Sequence, residues 1–149
     1  MAKKTLKLAD FLPYQLSITS NAVSDLIARS YRTRFGLRIA EWRVMAVLGE
    51  CESATQRELV LATAMDKVSV NRASKILADR GLICRVPNSA DGRSHHLALT
   101  KAGRALYDEI VPEALLIETH LEQYLGQKDA KLLSDILTKL RQRANELKL

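Results

Sequence analysis

Between Thr55 and Gly103 the chain carries start and stop signals so closely spaced that few arrangements of helix and strand satisfy them. Thr55-Gln56-Arg57-Glu58 has the form of a capping box: the Thr55 hydroxyl can accept from the Glu58 N–H while the Glu58 carboxylate reaches back. A short helix, Glu58 to Ala64, follows. Met65-Asp66 interrupts it, and Asp66 can cap a second helix that runs to Arg80. Gly81 ends that helix in the manner of a left-handed residue. Leu82 to Pro87 then reads as a strand, Asn88 to Gly92 as a turn, and Ser94 to Leu99 as the returning strand. Thr100 caps the helix after it. The order is helix, turn, helix, hairpin, helix.

The second of these helices has two faces. Val70, Ala73 and Leu77, helped by Ile76, recur at helical spacing and face a core. Lys67, Asn71, Ser74 and Lys75 fall on the other side, with Ser69 and Arg72 beside them. That outer face holds no carboxylate before Asp79. Its groups can donate to phosphates or read base edges, with Asn complementary to adenine and Lys a point charge. A solvated stripe on an ordinary helix has much the same appearance. The charge map separates the two readings. Lys67 to Arg104 holds eight Lys/Arg against Asp79 and Asp91, a net +6 that equals the net charge of the entire chain. The excess positive charge is concentrated in this helix, the hairpin and their edges, as in a surface that neutralises phosphates and displaces counterions.

These residues resemble the multiple-antibiotic-resistance regulator (MarR) family. Asp91-Gly92-Arg93, five residues, Leu99-Thr100, two residues and Gly103 match the wing signature of that family. Glu58-Leu59, Val70-Asn71-Arg72 and Leu77 through Arg80-Gly81-Leu82-Ile83 fit the pattern upstream. The resemblance covers nearly the whole chain. It implies a mainly α fold with a small β-hairpin wing, a winged helix-turn-helix with long N- and C-terminal dimerisation helices. It further implies DNA contacts by Lys67, Ser69, Asn71, Arg72, Ser74 and Lys75 on the second helix of the motif. Arg93 would be the wing arginine and Asp91 the carboxylate that orients arginine. One departure is Gly92, where many members carry a second Arg.

Around this stretch the chain reads as one domain, 1–149, with a DNA-binding lobe at about 37–100 and a helical dimerisation lobe from about 10–35 and 101–149. An apolar fraction of 47% is enough for a sizeable core. Asp10 to Arg34 forms a long helix, with Asp10 as possible N-cap, Pro13 in the first turn and Gly36 as stop. Leu12, Leu16, Thr19, Val23, Leu26 and Ser30 trace its stripe, widened by Phe11, Ile18, Ala22, Ile27 and Tyr31. So wide a stripe suits packing on both its own domain and a partner chain. Ile39 to Glu50 is a central helix with little polar surface. Lys101 to Tyr124 is a long helix with a kink expected near Pro112. The last helix starts near Lys128 or Asp129 and runs to Leu147, with a stripe of Leu132, Leu133, Ile136, Leu137, Leu140 and Ala144 suited to packing between chains.

Trp42 is most simply a core residue. The sharper reading sets Trp42, with Tyr14, Tyr31 and Met45, on the wall of an effector pocket, since pockets in the resembled family often take phenolic or aromatic acids. Cys51 and Cys84 make no disulfide framework and read as buried, inert thiols. His95 and His96 are neighbours in a strand, point to opposite faces and do not make one metal site. No metal and no cofactor is implied. The N-terminus lacks a signal-peptide core, and no apolar run reaches the ~18 residues of a membrane span. The location expected is cytoplasmic. Nothing has the spacing of a phosphate loop or nucleophile elbow, so the chain does not read as an enzyme. The partners implied are double-stranded DNA with a pseudo-palindromic operator, a second copy of the chain, and a small aromatic effector. The alternative is a winged-helix protein-interaction module without sequence-specific DNA binding.

Overall fold

The computed structural model describes residues 5–87 and 95–148. A 3-10 turn at Leu8–Asp10 leads into α1 (Leu12–Phe35), followed by α2 (Ile39–Glu50), α3 (Gln56–Thr63), α4 (Lys67–Asp79), strands β1 (Ile83–Pro87) and β2 (His95–Leu99), α5 (Lys101–Leu125) and α6 (Gln127–Glu146). The order is the one read from the sequence, and the fold is mainly helical with a two-stranded antiparallel wing. The chain divides into two compact units, 1–112 and 113–149.

Local signals set most boundaries. Gly36 takes the left-handed conformation (φ 63°) that closes α1. Proline is tolerated where no intrahelical N–H is needed, so Pro13 fixes the first turn of α1. That puts the N-cap at Phe11, with no side-chain bond, and corrects the assignment of Asp10, which lies inside the 3-10 turn. α5 is one continuous helix through Pro112.

The core of the first unit is built from one face of each element. Ala28 and Tyr31 of α1, Val44, Met45 and Leu48 of α2, Leu59 of α3, and Val70, Ala73 and Leu77 of α4 are buried together with Ile83, Leu97 and Ile110. α2 packs on both α3 and α4, as expected of the helix with least polar surface. Glu41 is buried on α2, where its carboxylate accepts from the Arg38 N–H (3.0 Å) and so ties down the start of the helix.

The hairpin pairs Ile83 with Leu99 and Pro87 with His95. A third segment joins it: Ala54 and Leu97 exchange two backbone hydrogen bonds of 2.9 and 2.8 Å, fastening the wing to the link between α2 and α3. Thr100 closes the arrangement. Its hydroxyl donates to Gly81 O (2.6 Å) and accepts from Gly103 N–H (3.0 Å), and its own N–H donates to Leu82 O (3.0 Å).

Gly103 explains its place in the pattern. A Cβ there would collide with the Leu82 carbonyl, which is backbone and cannot swing aside. Gly103→Ala should therefore cost about 1–3 kcal/mol or more of unfolding free energy through overpacking, read by urea denaturation. A loss under about 0.5 kcal/mol would show that α5 and β1 separate without penalty.

Candidate nucleic-acid interface

The surface begins with how α3 and α4 are started. Glu58 N–H donates to Thr55 Oγ1 (3.2 Å) and Thr55 N–H donates to Glu58 Oε2 (2.7 Å), completing the capping box. Ala64 closes α3 in the left-handed region (φ 53°). Asp66 then caps α4, accepting from Ser69 N–H (2.8 Å) and from the Ser69 hydroxyl (2.7 Å). Hydrogen bonds to the charged form hold both carboxyls below their ordinary range, by the Thr55 N–H for Glu58 and by the Ser69 N–H for Asp66.

With Val70, Ala73 and Leu77 pinned to the core, α4 turns Lys67, Val68, Asn71, Arg72 and Lys75 outward. Four of the six helix residues singled out from the sequence therefore share one exposed face. Ser69 is partly covered, and its hydroxyl proton is already given to Asp66, so toward DNA it can only accept. Ser74 departs from the expectation: it is 5% exposed and its Oγ has no hydrogen-bond partner among the described residues. The reason is periodic. Ser74 lies four residues after Val70 and three before Leu77, which is the core stripe of the helix.

Two of the eight basic residues counted in this stretch are spent on the protein itself. Arg80 Nη2 donates to Phe35 O (2.7 Å) at the end of α1, with Nη1 at 3.4 Å from Gly36 O. Arg104 Nη1 donates to Gly49 O (3.1 Å), and its guanidinium lies over the Tyr107 ring at 5.3 Å. Each arginine neutralises the carbonyl end of a helix. Among the described residues the other cations of the stretch, Lys67, Arg72 and Lys75 of α4, Arg85 of β1 and Lys101 of α5, are exposed. Asp91, Gly92 and Arg93 lie outside the described residues.

The aromatic residues gather elsewhere. Tyr31, Trp42 and Tyr107 form a stacked row, with centroids 5.6 and 5.9 Å apart. Tyr107 was not singled out from sequence; only the fold brings α5 beside α2. Tyr31 and Met45 are buried, while Trp42 is half-buried. Burial pushes the Tyr31 phenol up, against the opposing effect of Arg32 and Arg43. Tyr14 does not join the row within one chain: it is 37% exposed and seventeen residues earlier on α1, about 25 Å along the axis at ~1.5 Å per residue. Cys84 is exposed rather than buried, because the outer face of a two-stranded hairpin has nothing over it. Cys51 is half-buried, with Sγ donating to Val47 O (3.1 Å). His95 is exposed, and His96 Nδ1 lies 3.0 Å from Ser53 Oγ. Among the described residues no three His, Cys, Asp or Glu side chains group as metal ligands. No helix among them is long and apolar enough to cross a membrane.

Comparison with known proteins gives the same picture. Residues 35–94 match the family model described as MarR family. The chain is 30% identical over 100 residues to the HTH-type transcriptional regulator FarR of Neisseria gonorrhoeae, covering 67% of this chain and 68% of that one. The solved structure of a MarR family transcriptional regulator from Silicibacter pomeroyi DSS-3 is similar at a TM-score of 0.80 and 28% identity, over 94% of this chain and 99% of that one. Bordetella bronchiseptica BpsR, described with a mechanism for regulation of its DNA binding by 6-hydroxynicotinic acid, shares the fold at a TM-score of 0.82 and 22% identity, over 93% and 98% of the two chains.

Asp66 gives a pH test. Its folded pKa is lowered, so its contribution is complete above the ordinary carboxylate range and is lost as pH falls through the folded value. Asp66→Asn keeps a capping oxygen but does not titrate. Melting temperature plotted against pH should fall less steeply on the acid side for this variant, with little change at pH 7. An acid limb identical to that of the parent would remove Asp66 from the pH dependence.

Proposed function

The chain belongs to the MarR family of HTH-type transcriptional regulators, and from that premise we propose that it is a homodimeric repressor released from its operator by a small aromatic acid. Family membership makes it a DNA-binding regulator and not an enzyme. The observation that carries the reading is the exposed face of α4, on which Lys67, Asn71, Arg72 and Lys75 stand with no carboxylate between Asp66, the helix cap held by Ser69, and Asp79. In this reading α4 enters the major groove, Lys67, Arg72 and Lys75 meet phosphates or guanine edges, and Asn71 reads adenine. Arg93, on the wing, reaches the adjacent minor groove, oriented by Asp91. The lobe at about 37–100 binds DNA in the cytoplasm, and the helices at about 10–35 and 101–149 hold the dimer together.

The dimer is supported by apolar surface that the single chain leaves open. On α6, Leu132, Leu133, Ile136 and Leu137 are all exposed, and no residue of that helix is buried. On α1, Phe11, Leu12, Ile18, Val23 and Leu26 are exposed as well. Apolar stripes left exposed on a helix mark an interaction surface. A two-fold dimer sets its recognition helices about 34 Å apart, one turn of DNA, so the operator is an inverted repeat. Release is a shift of population: the ligand favours a dimer whose helix spacing does not fit. The row Tyr31–Trp42–Tyr107, with Arg32 and Arg43 near Tyr31, suits an aromatic carboxylate.

Ile136→Glu should convert the dimer to monomer in sedimentation velocity and abolish operator binding together with it; a stable dimer would move the interface off this stripe. Asn71→Ala should reduce discrimination between operator and scrambled duplex more than it reduces affinity for either. A uniform loss would make Asn71 a phosphate contact. Trp42 is the only tryptophan, so an aromatic acid at this wall should quench intrinsic fluorescence saturably over the concentrations that release DNA. Release without quenching would place the effector elsewhere.

A further inference from the structure

Val68 is out of character with the helix that carries it. It is 65% exposed and the second residue of α4, and no described residue buries it. β-branched residues lose side-chain freedom in a helix, so a solvent-facing valine gives α4 no local advantage. Scattered exposed valines are ordinary on protein surfaces. This one is set apart by its company. Spacings of three, four and seven residues place Val68, Asn71, Arg72 and Lys75 on a single face, and all four are exposed. Three of them complement DNA by charge or hydrogen bonds. The fourth offers only two methyl groups.

The major groove has one apolar feature among its base edges, the C5-methyl of thymine. Asn71, one turn beyond Val68, is the complement of adenine, so an A·T-rich step would engage both side chains at once. Lys67, Arg72 and Lys75 supply the charge that holds this face against the phosphates. Ser69 is turned back onto Asp66 and does not fill the same place. We infer that Val68 is a specificity-determining residue, its isopropyl group packing on a thymine methyl in each operator half-site and selecting thymine over cytosine there. The inference rests on the reading of α4 as the recognition helix and names what one further residue of that helix reads.

The test uses the full-length protein and an operator selected from random duplexes. Each thymine is replaced in turn by deoxyuridine, which removes the methyl and leaves base pairing intact, and affinities are measured for the parent and for Val68→Ala. At one thymine per half-site the parent should bind the uracil duplex roughly three- to fivefold more weakly, the value of one buried methyl group. Val68→Ala should bind the thymine operator more weakly by a similar factor and should not distinguish thymine from uracil at that position. Alanine is the better helix former, so a melting temperature at or above that of the parent confirms that the variant is folded. An operator at which parent and variant respond alike to every methyl would overturn the Val68 assignment alone. A pool that yields no enriched duplex would overturn the regulator reading, and this inference with it.

Discussion

One threonine holds the winged helix-turn-helix together. Thr100 donates to the carbonyl of Gly81 where α4 has just ended, accepts from Gly103 where α5 begins, and gives its own N–H to Leu82 at the entry to the hairpin. α4, the wing and the following long helix meet at that residue. Gly103 lets them meet, because a side chain there would push α5 off the Leu82 carbonyl. The spacing Leu99-Thr100, two residues, Gly103 is therefore a packing requirement before it is a signature of binding. The residues that would touch DNA lie elsewhere, on the free side of α4. They stand free because Val70, Ala73 and Leu77 are anchored.

Electrostatics follows from the same anchoring. Asp66 accepts from the backbone and the hydroxyl of Ser69 at the start of α4, so both of its oxygens are engaged in capping the helix. Arg80 and Arg104, though exposed, donate to the carbonyl ends of α1 and α2 and so tie helices together. Arg80 extends from the end of α4 to the end of α1 and joins the two helix ends by hydrogen bonds. Of the basic residues in this stretch, Arg80 and Arg104 thus fasten helix ends, while Lys67, Arg72 and Lys75 stand on the open face of α4.

Much of this was legible because it is local. A capping box, an Asp cap, a glycine after a helix and a Thr before one act over three or four residues, and the pattern at Thr55, Asp66, Gly36 and Thr100 appears in the fold as the sequence implies. Ser74 was legible in principle: its distance from Val70 and Leu77 marks the core stripe, and its polar character argued the other way. Asp10 lost the start of α1 to Pro13, whose restricted backbone outweighs a capping side chain. The bonding of Arg80 and Arg104 to distant helix ends, the addition of Tyr107 to the aromatic row and the open face over Cys84 depend on contacts between residues far apart in the chain. No periodicity or spacing carries that information.

The central claim is that the outward face of α4 reads sequence. It is tested most directly by selecting duplexes from a random pool with the full-length protein and titrating the winner over a range of salt concentrations. The account predicts an enriched inverted repeat with half-site centres about ten base pairs apart and an affinity that falls steeply as salt rises. Weak binding without an enriched motif, even at low salt, would contradict it and turn attention to a protein partner for the winged fold.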